Sequence, residues 1–490
     1  MANKNDLSHT VMSNMAWRLA ERLGAKGVEF IVSIVLARLL LPEDYGTIGL
    51  VIVFINILQV FVDSGLGNAL IQKSDADDTD FSTVFYFNIA FCIILYLLLF
   101  TVSPFIAAFY NDASLTDVLR VLGITILVSG VKNVQQAFVS RNMLFHRFFY
   151  ATLGGTIGAA IVGIYLAYRG YGVWALVAQQ IFNVATDTAI LWVTVKWRPK
   201  RLFSFQRLRT LFSFGWKLLV SSLIEIIYND IRQLIIGKLY SKEDLAFYNR
   251  AKQFPQFITS NINTSINSVL FPAMSSAQDS PERVKAMTRR AIKTSTYIMA
   301  PMMMGFAACS KPIVSILLTD KWLPCVPFLI IFCITDMFLP IHTANLNAIK
   351  AMGRSDLYLR LEIIKKVMGI IVLLLTVSHG VMAMAYSLLF TNVISQIINS
   401  WPNRKLLNYA YPEQLKDILP GILLAVGMGL IVYSVEYIGL NTWLTLLIQV
   451  PLGALIYIAG SKLFHLESFD YLLSMIKNFR RKYNKKAKKI

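Results

Sequence analysis

"ARLLLPEDYG" at residues 37–46 and "GKLYSKEDLA" at 237–246 are one turn written twice. Each closes an apolar run and restarts on Glu-Asp, at Glu43-Asp44 and Glu243-Asp244. The flanks repeat as well. "WRL" at Trp17 matches "WKL" at Trp216, and "SPFIAAFYND" at 103–112 matches "KPIVSILLTD" at 311–320. The spacing drifts slightly, from about 200 to about 208 residues, and the order is kept, so the repeats are parallel and not inverted.

The solvent for this fold follows from composition. Of 490 residues, 56% are hydrophobic and 15% charged. A soluble chain carries about 25% charged residues, and a single core stops growing near roughly 250–300 residues. Long apolar runs such as "FYFNIAFCIILYLLLFTV" and "PGILLAVGMGLIVYSV" recur throughout. Each approaches the roughly 20 residues that cross hydrocarbon as a helix, and about fourteen segments qualify. The fold class is therefore an all-α integral membrane protein of about 14 transmembrane helices. The repeat divides it into two halves of about six helices each, with two more spans near 414–438 and 441–464. The start, "MANKNDLSHTVMSNMAW", lacks a cleavable signal pattern, so the first helix is expected to remain. Cys92, Cys309, Cys325 and Cys333 have no CxxC spacing and read as small buried side chains.

The net charge of +19 does not point to nucleic acid, because the cations sit in loops between spans. They cluster at 196–209, 283–293 and 350–366 and in the tail "KNFRRKYNKKAKK". Positive loops stay in the cytoplasm, so an even span count places both termini there. "QKSDADDTD" at 72–80 breaks the pattern, being acidic where a basic loop is expected. The map that results is 1–196, the N-terminal six-helix lobe; 197–209, a basic connector; 210–403, the C-terminal six-helix lobe; 404–475, two additional spans; and 476–490, a basic tail. In the connector, basic residues alternate with Leu and Phe. That suits an amphipathic helix on the anionic inner leaflet, and also an ordinary basic loop.

Charges inside spans carry the functional signal. On a helix, Arg18, Glu21, Arg22, Lys26, Glu29 and Ser33 share one face. The matching helix of the second half puts Ser221, Ser222, Glu225, Asn229, Arg232 and Gln233 on one face, with Asp230 off it. A lipid-facing charge near mid-bilayer costs about 2.5–3.5 kcal/mol even on lenient scales. Such stripes must face protein or water, and two of them would line a cleft between lobes. Two plainer readings stay open. Arg18, Glu21 and Arg22 can snorkel to the interface, and Lys26 with Glu29, spaced i, i+3, can form a neutral structural pair. Asn56, Asp63, Lys132, Gln135, Gln136, Gln179, Gln180, Asn183, Asp187, Asp336, His342 and Asn345 suit the same cleft, or hydrogen bonds between helices. Intramembrane carboxylates are the usual ion carriers, which makes Glu29, Asp63, Glu225 and Asp230 candidates for coupling or charge balance. "LGGTIGAA" at 153–160 holds a GxxxG, a signal for close helix packing.

Enzyme motifs are missing. The chain has no GxxxxGK[ST] loop, no HExxH and no paired CxxC. "DADD" at 75–78 reads as an acidic loop, and "HLESFD" at 465–470 as a chance match. Neither a cofactor nor a metal site is expected.

"ARLLLPEDYGTIGL", "VDSGLGNALIQK", "AFYNRAKQFP", "VLFPAMSSAQDSPERVK" and "LLTDKWLPCVPFL" resemble the polysaccharide-transporter branch of the MOP flippase superfamily. The likeness is greatest to Wzx-type flippases of the colanic-acid and teichuronic-acid exporter group. It implies two lobes in a V around a central cavity, in a bacterial cytoplasmic (inner) membrane. It implies an undecaprenyl-diphosphate-linked oligosaccharide moved outward by alternating access, for lipopolysaccharide, capsule or exopolysaccharide assembly. Membrane lipids and other polysaccharide assembly proteins would be the partners. Basic residues on the first and eighth helices would meet the diphosphate: here Arg18, Arg22, Lys26 and Arg250, with Arg232 on the second stripe. The carboxylates would balance an empty site or carry H+ or Na+. A multidrug or small-molecule antiporter of the same superfamily is the alternative, disfavoured by a cationic cavity. A multispan polysaccharide polymerase or ligase would be expected to carry a long extracytoplasmic loop, and every outside loop here is short.

Overall fold

The computed structural model describes residues 24–475 apart from Ser64, together with Lys477. Among the described residues the chain is helical, with no strand. The helices are α1 (24–39), α2 (Pro42–Asp63), α3 (Leu66–Gln72), α4 (Asp78–Tyr110), α5 (Ser114–Arg141), α6 (Phe145–Tyr168), α7 (Val173–Thr194) and α8 (Phe205–Leu239). They continue as α9 (Lys242–Ser275), α10 (Pro281–Ala308), α11 (Ser310–Leu318), α12 (Val326–Met337), α13 (Leu339–Ala351), α14 (Ser355–Thr376), α15 (Val381–Leu406), α16 (Tyr411–Ser434) and α17 (Thr442–Leu463).

Among the described residues eight stretches are long and apolar enough to cross a membrane, or up to ten if two bent pairs each make one span. The pairs are α8, bent by 48° between Ser213 and Gly215, and α10 with α11, bent by 67°. The chain is thus a multi-span membrane protein, with fewer spans by this standard than the fourteen expected. Helices α7, α9 and α14 fall short because polar side chains interrupt them: Gln179, Gln180, Asn183 and Asp187 on α7, for example.

The chain forms two compact units, Met1–Ala246 and Phe247–Ile490. The division falls inside α9, later than the 197–209 connector expected as the boundary. Packing explains the difference. Helix α8 lies on α2, α3 and α4 of the first unit. Its Leu208 and Leu211 are buried in a core with Phe81, Phe85 and Trp197. The Trp197 ring sits 5.7 Å from Phe81 and 6.2 Å from Phe85.

The repeated turns meet in the first unit. Each is closed in the same way: the Leu41 N–H donates to Asp44 Oδ2 at 3.0 Å, and the Ser241 N–H to Asp244 Oδ2 at 3.3 Å. The second turn adds the reciprocal bond, Asp244 N–H to Ser241 Oγ at 3.0 Å, completing a capping box. Gly46 lies against the Lys242 carbonyl so closely that a Cβ would overlap it. Lys242 in turn pairs with Asp112 at 2.6 Å. Gly46→Ala is therefore expected to destabilise by about 1–3 kcal/mol, because backbone must move to admit the methyl group. Gly427→Ala on α16, with no atom within 4 Å of its Cβ position, is the control. Thermal unfolding in detergent should separate the two; equal midpoints would show that the turns yield easily.

The anomalous acidic turn is neutralised locally. Lys73 pairs with Asp80 at 2.7 Å, Lys200 with Asp78 at 2.5 Å, and Arg207 with Asp77 at 2.5 Å and Asp80 at 3.3 Å. Arg207 beside Asp77 holds that carboxyl down at about 2. Asp77 also caps α4, accepting from the N–H groups of Thr79 and Asp80. The connector is helical only from Phe205 onward; 195–200 and 202–204 have no regular structure.

Candidate functional site

Arg18 and Arg22 lie outside the described residues, as does Glu21. Further along the same stripe, Lys26 Nζ is 2.5 Å from Glu29 Oε2, on an exposed face of α1. Glu29 and Ser33 also reach a cavity of about 210 Å³ within the first unit, where Tyr45 and Thr156 meet Gln179, Gln180 and Asn183. A carboxylate among hydroxyls and amides can hold a hydroxyl-rich group, a proton or a small cation. The cavity owes part of its shape to α6 and α7. A Cβ at Gly155 would stand 2.8 Å from Asn183 Oδ1, and one at Gly163 would stand 3.0 Å from Gln179 Cβ. The small residues of α6 thus bring α7 and its amides close.

A second polar tier crosses α2, α4, α5 and α7. Asp63 Oδ1 accepts from Gln59 Nε2 at 3.0 Å and from Asn133 Nδ2 at 3.1 Å. Asn88 Nδ2 donates to Asn133 Oδ1 at 3.4 Å. Beside them Lys132 pairs with Asp187 at 3.0 Å, the side chains 15% and 14% exposed. Gln135, named with Lys132 from sequence, points elsewhere and donates to the Trp197 carbonyl at 3.1 Å.

The α8 stripe is spread out. Glu225 is exposed, Asp230 accepts from Gln233 at 2.8 Å, and Arg232 is buried. In the second unit Arg250 is buried as well. It donates to Gln253 Oε1 at 2.7 Å, and its guanidinium stands 5.2 Å from the centre of the Trp322 ring, a cation–π arrangement. "AFYNRAKQFP" and "LLTDKWLPCVPFL" therefore pack on one another, with Phe247 also edge-on to Trp322.

One feature escaped the sequence reading: a ladder between α9 and α12–α13. Thr259 donates to Asp336 Oδ2 at 3.4 Å, Thr343 to Asn263 Oδ1 at 3.2 Å, and Asn347 Nδ2 to Asn267 Oδ1 at 2.6 Å. The i, i+4 spacing of Thr259, Asn263 and Asn267 was the available signal. His342 is held between Asn392 Oδ1 at 2.8 Å and Asn399 Nδ2 at 2.9 Å. Those partners assign the proton to Nε2 and leave Nδ1 as acceptor.

The second unit also holds an apolar groove of about 510 Å³, walled by α10, α11, α16 and α17 with Ile258 of α9. Met302, Phe306, Ile313, Met428 and Val450 line it. Gln449 enters it as a buried amide that donates to the Val432 carbonyl at 3.0 Å, its own oxygen unpaired.

Apolar spanning helices with polar tiers buried between them define a multi-span integral membrane protein. Within that class the chain belongs to the polysaccharide biosynthesis protein family, which residues 35–327, more than half of its length, match. It is similar to the teichuronic acid biosynthesis protein TuaB of Bacillus subtilis (strain 168), 23% identical over 82% of this chain and 84% of that one. It is also similar to the succinoglycan biosynthesis transport protein ExoT of Rhizobium meliloti (strain 1021), 23% identical over 70% of each chain. Among solved structures its fold resembles the lipid II flippase MurJ in an inward closed conformation, with a TM-score of 0.75 and 15% identity over 92% of this chain and 99% of that one.

Proposed function

We propose that the protein flips an undecaprenyl-diphosphate-linked oligosaccharide from the inner to the outer leaflet of a bacterial cytoplasmic membrane, for surface polysaccharide assembly. The observation that carries this reading is the apolar groove beside α16 and α17. A long hydrocarbon chain suits it; a small polar solute does not. Within the first unit, taken by itself, the polar cavity at Glu29 suits a hydroxyl-rich group. The family and the named activities of its relatives support the same class of substrate.

In this scheme fourteen spans form two six-helix lobes and a C-terminal pair, working by alternating access with both termini cytoplasmic. Arg18, Arg22 and Lys26 meet the diphosphate on the first helix, with Arg232 and Arg250 serving from α8 and α9. Glu29, Asp63, Glu225 and Asp230 balance charge or carry H+ or Na+. Other polysaccharide assembly proteins receive the product.

The test is reconstitution in vesicles with a fluorescent polyprenyl-diphosphate oligosaccharide and an impermeant quencher. Flipping that needs the intact chain supports the proposal. Failure to flip that lipid, together with uptake of a cationic dye against a proton gradient, would establish the multidrug alternative instead.

A further inference from the structure

The segment 201–217 has two faces, and their cations are differently engaged. On the inner face Leu208 and Leu211 are buried in the aromatic core and Arg207 is paired with Asp77 and Asp80, while Lys200, just before the segment, is paired with Asp78. On the outer face of the 205–213 helix, Phe205, Arg209 and Phe212 fall within about 60° of one another at ~100° per residue. Phe205 is 73% exposed and Phe212 47%. Phe203 precedes this stripe, and Trp216 with Lys217 follows just past the 48° bend, all exposed. Arg201, Arg209 and Lys217 have no carboxylate within ion-pair distance among the described residues. Three unengaged cations are thus interleaved with four exposed aromatic rings at the mouth of a spanning helix.

That combination matches the headgroup layer of a bilayer. Aromatic rings settle where acyl chains meet headgroups, and cations beside them meet lipid phosphates. The bend turns the arm away from the axis of the spanning part of α8, so the outer stripe can lie along the membrane surface. Uncharged headgroups would accept the rings and leave the cations without partners. An anionic leaflet satisfies both.

We propose that this arm is a docking surface for anionic phospholipid headgroups. Arg201, Arg209 and Lys217 bind the phosphates and the four rings enter the interface, while the 77–80 carboxylates hold the arm's other face to the protein. The proposal does not depend on the transported substrate.

The experiment uses the full chain in nanodiscs of phosphatidylcholine alone, or of equal parts phosphatidylcholine and phosphatidylglycerol. Amide hydrogen exchange is followed across 201–213. Phosphatidylglycerol should slow exchange there by about fivefold or more, each cation near an anionic surface contributing about that factor. High salt should abolish the difference. The triple variant R201Q/R209Q/K217Q should lose it, while unchanged exchange in α16 and α17 shows that the fold is intact. Removing the engaged pair with Lys200→Gln and Asp78→Asn should leave the ratio as it was. Equal exchange in both bilayers overturns the proposal. So does protection that survives the triple variant or high salt, or protection that appears only when a soluble acidic protein is added.

Discussion

Lys132→Ala should lower stability by about 3–5 kcal/mol, because it strands Asp187 between α5 and α7 with little water to solvate it. Asp187→Ala should cost a similar amount by stranding the ammonium. The double variant is the informative case. An apolar pair in place of a buried ion pair is often near neutral, so K132A/D187A should recover most of the loss. Thermal unfolding in detergent and membrane abundance measure this directly. If the two single effects simply add in the double variant, the two charges are not coupled. If the double variant is stable yet does not transport, the pair has a task beyond holding α5 to α7.

The lysine-aspartate pair also marks what the sequence could and could not tell. Lys132 and Asp187 were both visible as charges inside spans, and burial demanded a neutralising partner. Which partner depends on how α5 lies against α7, and no local pattern encodes that. Arg250 makes the same point more strongly. Its place in "AFYNRAKQFP" marks it as a cavity cation by family likeness, while the structure buries it on Trp322, whose position is set by a distant turn. That stack gives Arg250 a packing task whatever else it does. The repeated turn was legible because its chemistry is local: Asp44 and Asp244 close their turns within three residues. That the two turns then pack on each other needed the fold. The acidic turn at 72–80 was legible as a departure from the positive-inside pattern, and its resolution lies in Lys200 and Arg207, more than a hundred residues away. In the connector the alternation of cations with Leu and Phe runs from 197 to 209 and does not mark where the helix begins, which is Phe205.

Removing the charge of Lys26 should slow flipping by roughly ten- to a hundredfold if it meets the diphosphate, since a charge-assisted hydrogen bond contributes about 1.5–3 kcal/mol. The structure sharpens this test, because Lys26 is bonded to Glu29 at 2.5 Å while Glu29 also reaches the polar cavity. The Lys26 side chain is 63% exposed and the pair lies on the helix surface, so mutual attraction alone adds little stability. Lys26→Ala should therefore leave folded abundance nearly unchanged, unlike Lys132→Ala. Lys26→Arg should keep much of the activity if a point charge is what the substrate needs, and Glu29→Ala should free the ammonium without removing it. The decisive comparison is K26A/E29A, with abundance, detergent stability and flipping measured on the same preparation. Normal abundance with failed flipping in K26A/E29A, together with flipping retained in E29A, places Lys26 at the headgroup, because the loss of Glu29 from the polar cavity is then excluded as the cause. Full activity in the double variant would mean that Lys26 and Glu29 serve only to cancel one another, and the cationic stripe of the first helix would then rest on Arg18 and Arg22 alone.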